Sequence, residues 1–496
     1  MSVTFNNTIR QTIPRCLDYS TVCALGLLRA AREHEIKSKP EFQISNVISK
    51  WQKTPNIYTA IDLLAEALIL KDFKSEYARQ AANYLLNQSE TTNPIIKELA
   101  VHFLEQPLIN IALLLDISEP QNRYTKIANL KKSVRFYHRN PIAWCDMAIN
   151  YATLGQMDKA RSAIEVALNL APNNRFILRS ASRCFLHFKE YDRAVYVLTR
   201  SPLYNVDPWI TSAGIAIAES ADLPTRSINK AKALVEDDNL TQFSRSELSV
   251  TIGTKEMKNC AEKRAKTYMR QGIINPTENA LAQAAWMSSQ LDTDIINFSN
   301  LGKEVPASYE AIARHLLYKE DFKNSLNSAI QWCSYEPLSS MPFIFASYIT
   351  SVCFDDDLQS LRILQNSLPL HKTDPDFMNN YICSLAQTGD LGAAIKNFLN
   401  LDLSNLTDHQ SFVLTATQGL LCFHTDNAEK GRELYLEAIR GFERINQHRS
   451  AAIAAYYLAA EEKRILSPYK DARIKDAKSR VKRFKVVELT KRINIL

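Results

Sequence analysis

Apolar residues recur along most of this chain at steps of three and four, the period of an amphipathic helix. Seven positions define two such faces on consecutive helices: Trp144, Met147, Ala148 and Tyr151 on the first, and Ala160, Ile164 and Ala167 on the second. One helix pair cannot cover its own apolar face, so it must stack on its neighbours. The pattern therefore predicts an all-α protein built from antiparallel helix pairs.

The same pattern returns about 34 residues further on, which is the length of a two-helix repeat. Trp144 then aligns with Leu178, and Ala160 aligns with Ala194. Gly155 can adopt the left-handed conformation that ends a first helix, and Pro172 ends the second.

These features resemble the tetratricopeptide repeat family in their Trp, their Leu-Gly turn, their Tyr, their small alanines and their closing Pro. The resemblance is clearest over residues 140–202 and looser to about residue 440. It implies a right-handed α-solenoid of tetratricopeptide-like antiparallel helix pairs. It also implies a concave channel, lined by the inner faces of the first helices, that holds peptides of partner proteins.

Further helices are predicted where Asn or Asp precedes Pro, because the first caps a helix and the second suits its first turn. These pairs begin at Asn93, Asn140, Asp207, Asn275 and Asp374. Pro342 and Pro306 also indicate helix starts, without the cap. Earlier helices are expected over residues 18–35, 56–70 and 75–88, and residues 94–138 are helical but out of register.

The pattern divides the chain into five regions. They are an irregular helical region (1–139), the best repeats (140–236), divergent helical repeats (237–304), C-terminal repeats (305–466) and a basic amphipathic tail (467–496). Residues 237–258 form the most polar gap, so we expect a hinge there.

Composition agrees with helices and disfavours sheets. The chain of 496 residues has only 11 glycines, too few for the tight turns of an all-β fold. Its nine cysteines include no CxxC pair, which favours a reducing compartment. Arg10, Arg15 and Asp18 interrupt the first hydrophobic stretch, so a signal peptide is not expected. We therefore expect a cytoplasmic protein.

No catalytic or cofactor motif is present, so we predict a non-enzyme with no cofactor and no metal. Gly253 lacks the earlier glycine and spacing of a phosphate loop. Cys184 with His187, and Cys422 with His424, have spacings that could hold a metal or activate a nucleophile, but structural roles are favoured. The acidic run at residues 355–357 lacks the alternation of a calcium loop, so a solvated turn is favoured.

The channel implied by the resemblance provides candidate binding residues. The inner face of the helix starting at Arg175 would present Phe176, Arg179, Arg183 and His187. Arg179 and Arg183 lie one turn apart and could clamp a carboxylate or phosphate. The alternative is two solvated surface arginines. The Lys and Asn with which some family members hold a C-terminal carboxylate are not matched, because Cys145 and Ile149 stand there.

The positive charge is concentrated at the end of the chain. Residues 467–496 carry ten Lys or Arg and three acids, so they account for the whole net charge of +7. Ile474, Ala477, Val481 and Phe484 form a narrow apolar stripe on this predicted helix. The tail is either the closing helix of the solenoid or a binding element for nucleic acid, an acidic partner or a membrane surface. Its candidate contacts are Lys478, Arg480, Lys482, Arg483 and Lys485.

Two hypotheses about function follow. The first is a scaffold or adaptor that binds a partner protein in the channel, with the two arginines selecting an acidic segment. The second is a nucleic-acid-associated repeat protein that is tethered by its basic tail. The identity of the partner and the oligomeric state do not follow from the residues.

Overall fold

The computed structural model describes residues 10–19, 21–23, 25–26, 29, 44–69, 75–87, 94–104, 120–225, 227–291, 305–404, 406–490 and 492–496. The chain divides into two compact units. The N-terminal unit comprises the described residues up to His315 together with Ile330–Leu338. The C-terminal unit comprises Leu316–Ala329 and Ser339–Leu496.

The described regular structure is α-helical, as predicted. The helices before residue 300 are α1 (Ile44–Lys53), α2 (Ile57–Ile69), α3 (Glu76–Asn87), α4 (Pro94–Leu104), α5 (Pro120–Phe136), α6 (Pro141–Thr153), α7 (Met157–Leu170), α8 (Arg175–His187), α9 (Tyr191–Thr199), α10 (Pro208–Ser220), α11 (Ile228–Glu236), α12 (Gln242–Lys258), α13 (Glu262–Gly272) and α14 (Glu278–Leu291).

The later helices continue the same alternation. They are α15 (Tyr309–Tyr318), α16 (Phe322–Tyr335), α17 (Met341–Tyr348), α18 (Asp357–Gln365), α19 (Leu368–His371), α20 (Pro375–Gln387), α21 (Leu391–Leu399), α22 (Asp408–His424), α23 (Ala428–Arg444), α24 (His448–Arg464) and α25 (Lys470–Arg483). A π-helical turn, Ile349–Cys353, extends α17. None of the helices in the described ranges has the length and apolar character needed to cross a membrane.

The first helices of successive pairs begin about 34 residues apart from α6 to α22, which is the repeat length expected of a helix pair. Three predicted caps are confirmed: the side chains of Asn140, Asp207 and Asp374 accept hydrogen bonds from the first turns of α6, α10 and α20. The prediction at Asn275 is wrong, because α14 begins at Glu278 and Thr277 caps it by accepting from the Ala280 N–H.

The two faces predicted for the best repeat are buried against each other. Met147, Ala148 and Tyr151 of α6 belong to the same core as Ala160 and Ile164 of α7. Gly155 joins the two helices at φ 71°, where a side chain would be strained. The predicted helix pair and its core are therefore confirmed.

The stretch expected to form a hinge is mostly a helix. Residues 242–258 form α12, and most of its residues are buried. Its polar composition is accommodated because the hydroxyls of Ser249, Thr251 and Thr254 donate to carbonyls one turn earlier. The predicted helix over residues 18–35 lies mostly outside the described residues, although those described from Tyr19 to Arg29 have helical backbone.

Candidate functional site

The first helices of the N-terminal unit share one face along which residues 10–19 lie. Residues 10–18 have no regular secondary structure. We call this face the inner groove, and we call residues 10–19 the segment. The inner groove is formed by Asp146 of α6, Ser180 and Cys184 of α8, Ser212 of α10, Thr251 of α12, Asn279 and Gln283 of α14, and Glu310 of α15. Its charged end also includes Glu278 of α14 and Glu336, which follows α16.

Arg10 occupies one end of the inner groove. Its guanidinium group makes a bidentate pair with Glu310, with Nε 2.8 Å from Oε1 and Nη2 2.7 Å from Oε2. The same group donates to Gln283 Oε1 at 2.7 Å and to Asn279 Oδ1 at 2.9 Å. Carboxylate and amide oxygens thus surround this cation.

The amides of α14 also hold the main chain of the segment. Gln283 Nε2 donates to the Arg10 carbonyl at 2.7 Å, and Asn279 Nδ2 donates to the Ile13 carbonyl at 3.2 Å. Between them, the Thr12 hydroxyl meets the hydroxyls of Ser212 and Thr251. Because carbonyls are common to every residue, two of these contacts hold an extended chain whatever its side chains are.

Arg15 is the most enclosed cation of the segment. It donates to Glu310 Oε2 at 2.9 Å and to Glu336 Oε2 at 3.1 Å, and Glu278 lies 3.9 Å away. Its guanidinium group also lies 5.4 Å from the centre of the Tyr335 ring. Burial opposes the charge of Arg15, but Glu336 and Glu310 outweigh it and raise its pKa above the ordinary arginine value.

The last part of the segment contacts α6 and α8. Cys16 Sγ lies 3.8 Å from Cys184 Sγ, and both cysteines are buried. Tyr19 donates its backbone N–H to Asp146 at 2.9 Å, and its ring meets Phe176 edge-on at 5.4 Å.

Glu310 is the centre of the charge cluster. Its carboxylate accepts from Arg10, Arg15 and Arg314 and is almost completely buried. Burial raises its pKa, but Arg10 and Arg314 together hold the pKa well below the usual glutamate range. Glu310 is therefore ionised at neutral pH.

Asp146 lies at the other end of the inner groove, and its pKa is shifted in the opposite direction. Burial, and then the carboxylate of Asp18, raise the pKa of Asp146 from the ordinary 3.8 to about 7. The Tyr19 N–H and Lys126, which lies 3.2 Å from Asp18, act against this rise. Asp146 is thus a half-titrated group beneath the segment near neutral pH.

Asp146→Asn is expected to flatten the pH dependence of the stability of the N-terminal unit. Between about pH 4 and pH 7 the folded chain holds a proton on Asp146 that the unfolded chain has lost, so the contribution of Asp146 to stability falls as pH rises. Asparagine does not titrate but still accepts the Tyr19 N–H. Melting temperatures at several pH values across this range measure the slope. Asp158→Asn, at an exposed site, should keep the wild-type slope, and equal slopes in all three proteins would contradict the prediction.

A cavity of about 360 Å³ remains beside the segment within the N-terminal unit. Its walls include the rings of Phe176, Trp209 and Phe243, with Arg29 stacked 3.9 Å from the centre of the Phe243 ring. Leu17 of the segment also contributes to the wall. The inner groove therefore has room for side chains larger than those that now lie in it.

Of the two predicted binding arginines, Arg179 contributes to the wall of this cavity, and both have acceptors within the chain. Arg179 pairs with Glu247 at 2.9 Å and donates to the Trp209 carbonyl. Arg183 is buried and donates to the Leu338 carbonyl at 2.7 Å. Neither is a solvated surface arginine, and an acidic partner would have to displace these acceptors. The role predicted for them stays a prediction.

The other two predicted groove residues are separated. Phe176 contacts Tyr19 of the segment, as described above. His187 lies at the far end of α8, with its ring 6.2 Å from that of Phe188. Cys184 faces Cys16.

Sequence reasoning missed Arg10 and Arg15 as groove residues. They attracted attention only because they interrupt a hydrophobic stretch. A usable signal is the pair of arginines five positions apart around Pro14, together with Glu278 and Glu310 near predicted starts of first helices and Glu336 at the end of a predicted second helix. Nothing local in the sequence links these positions.

The basic tail belongs to the C-terminal unit. Ala477 and Val481 of the predicted stripe are buried, and Phe484 stacks on His448 at 5.0 Å. Arg480 pairs with Glu443 and Asp476. The remaining tail candidates are exposed: Lys478, Lys482, Arg483 and Lys485.

The residues after α25 fold back within the same unit. Glu488 is buried and pairs with Arg449 and with the Tyr348 hydroxyl. Arg492 donates to the Ser351 and Val352 carbonyls. The acidic run at residues 355–357 is predicted to be a solvated turn. Its first residue, Asp355, forms an ion pair with Arg492.

The other chemical candidates have ordinary structural partners. Asp356 caps α18, and Asp357 accepts from the Ser351 hydroxyl at 2.6 Å. His424 Nε2 lies 3.5 Å from Glu461 rather than against Cys422. Among the residues that the structure describes, no group of three or more His, Cys, Asp or Glu could hold a metal ion.

Comparison with known proteins gives fold-level likeness only. No family model and no curated protein matches the chain. Among solved structures, the chain is similar to Cut9–Hcn1 of an APC/C hetero-tetramer, with 10% identity, 95% of this chain and 96% of that chain covered, and a TM-score of 0.40. Yeast Tom70 is 11% identical, with 81% of this chain and 96% of that chain covered and a TM-score of 0.30. A human IFIT1 dimer with PPP-AAAA is 10% identical, with 90% of this chain and 94% of that chain covered and a TM-score of 0.26.

These scores are too low to support an argument about function. The architecture is evident from the chain itself: first helices capped by side chains such as Asn140, Asp207 and Asp374, second helices that follow them, and a repeat of about 34 residues. The chain is therefore an all-α helical-repeat protein, and the length of its repeat resembles that of the tetratricopeptide family.

Proposed function

We propose that this protein is a binding scaffold whose inner groove holds an extended segment of a partner protein. One observation supports the proposal: residues 10–18 form an irregular stretch that side chains of consecutive first helices hold in the inner groove. A groove that binds one such segment has the donors and acceptors to bind another. The recognition uses carbonyls as well as side chains, as extended-peptide recognition generally does.

A substitution that fills the groove tests the proposal. Thr251→Trp, in the full chain, would place an indole where the Thr12 side chain lies. We expect this variant, used as bait in affinity purification, to lose partners that the wild type recovers reproducibly. Quantitative mass spectrometry of the recovered proteins is the measurement.

Thr267→Trp is the matched control, because Thr267 is exposed on α13 and its hydroxyl donates to a carbonyl of its own helix. It should recover the same partners as the wild type. Circular dichroism melting checks that both variants fold. Equal recovery by all three proteins would place binding elsewhere and defeat the proposal.

Nucleic-acid binding through α25 is the second candidate function. The exposed cations Lys478, Lys482, Arg483 and Lys485 favour it. Phosphate contacts of this kind weaken steeply as salt rises, whereas recognition inside the inner groove depends on buried pairs. Salt dependence therefore separates the two candidates.

A further inference from the structure

We propose that the partner segment of the inner groove is basic and carries two arginines five positions apart, and that residues 10–19 are an intramolecular copy of it. This inference rests on the proposed function. It adds the chemistry of the partner and a competitor already present in the chain.

Charge complementarity is the first argument. Glu278, Glu310 and Glu336 converge on the guanidinium groups of Arg10 and Arg15, and Arg314 is the additional cation bound to Glu310. With the segment in place, three carboxylates face three cations. Without it, three carboxylates face one cation, so the groove has a local charge of about −2 and disfavours an acidic occupant.

Geometry makes arginine the preferred cation. Arg10 meets both oxygens of Glu310 and two amide oxygens at once, which a planar fork with five N–H donors can do and an ammonium group cannot. Arg15 bridges Glu310 and Glu336, whose Oε2 also accepts from the Trp332 indole at 2.8 Å. Glu310 is also held by Arg314, and Glu336 by the Trp332 indole, through contacts that do not involve residues 10–19.

The contacts that hold the segment in the inner groove can be exchanged for contacts with another peptide. Among the described residues, no backbone-to-backbone hydrogen bond joins residues 10–17 to a helix. The seat consists of side-chain contacts, and the neighbouring cavity of about 360 Å³ leaves space for a bulkier segment. A competing segment can therefore replace every contact of residues 10–16 without unfolding a helix.

Cysteine accessibility in the wild-type full chain tests the exchange. The probe is a synthetic peptide of residues 8–19 in which Ser replaces Cys16, and the reagent is N-ethylmaleimide followed by peptide mapping. Cys16 and Cys184 are buried, whereas Cys260 is exposed and reports the intrinsic labelling rate. Saturating peptide should raise Cys16 labelling about tenfold, because a thiol reacts only when accessible. Cys184 should stay protected, because the peptide replaces the segment over it.

Three results would overturn the inference. They are no rise in Cys16 labelling at saturating peptide, an equal rise with a peptide in which alanine replaces both arginines, and a joint rise of Cys16 and Cys184, which reports unfolding. A peptide with two lysines in place of the arginines should act more weakly than the parent peptide.

Direct binding provides a second measurement. Fluorescence anisotropy of the labelled peptide should show about tenfold tighter binding to the full-chain variant Arg10→Ala, Arg15→Ala than to the wild type, since its own segment competes less. If that variant does not fold, the labelling experiment on the wild type decides alone. If partner recovery depends on Thr251 but the peptide fails in both experiments, only the partner chemistry is wrong. If recovery does not depend on Thr251, the proposed function itself fails.

Discussion

Glu310→Gln is expected to lower the free energy of unfolding of the N-terminal unit by about 3–5 kcal/mol, because it removes the acceptor shared by buried cations. Arg10, Arg15 and Arg314 all pair with this carboxylate, and glutamine retains its shape without its charge. Urea unfolding followed by circular dichroism at neutral pH measures the loss. It should appear in the transition of this unit.

The pH dependence gives an internal check. Because the pKa of Glu310 is depressed in the folded state, its stabilisation is present above the ordinary glutamate pKa of about 4.3 and is lost as pH falls below it. The difference between wild type and variant should therefore shrink in acid. Glu262→Gln is the control, since Glu262 is exposed and its pair with Lys266 is 3.5 Å long. A loss below 1 kcal/mol for both variants would show that the cluster contributes little.

Gly431→Ala is expected to destabilise the C-terminal unit by about 1–3 kcal/mol, although alanine is the better helix former. A Cβ on Gly431 of α23 would lie 2.8 Å from the Gly419 carbonyl of α22 and 2.7 Å from the Phe423 ring. The carbonyl belongs to a helix backbone and cannot move alone. The two helices must therefore separate, which weakens their packing. Thermal and urea unfolding measure the change.

Gly392→Ala in the same unit should change stability in the opposite direction. Nothing lies within 4 Å of a Cβ at Gly392 in α21. Alanine there restricts the unfolded chain at no steric cost, so we expect a gain of about 0.4–1 kcal/mol. A matching gain for Gly431→Ala would mean that α22 and α23 are not in close contact at these glycines.

Local rules predicted the helices well and the contents of the groove poorly. The faces of α6 and α7, the left-handed turn at Gly155 and the caps at Asn140 and Asp207 all follow from residues close together in sequence. Such features depend on backbone geometry, hydrogen-bond donors and apolar period, which a single sequence displays directly. They were confirmed for that reason.

Contacts between distant residues supply what local composition does not show. Residues 242–258, part of the stretch in which a hinge is expected, form a mostly buried helix whose hydroxyls bond to carbonyls of the same helix. Arg179, which is predicted to hold an anion of a partner, already donates to Glu247 of α12, and its predicted role stays a prediction. The sequence does not link Arg10 to the inner groove, because its acceptor Glu310 lies 300 positions away.

That separation also has a consequence for synthesis of the chain. Arg10 and Arg15 leave the ribosome before their acceptors, because Glu310 lies in α15, the last first helix of the unit, and Glu336 follows that helix. Domains begin to fold as they emerge, and contacts distant in sequence form late. The earliest residues of this segment are therefore the last to be seated in the unit. Until then the nascent groove stands open, with its carboxylates accessible to any basic segment nearby.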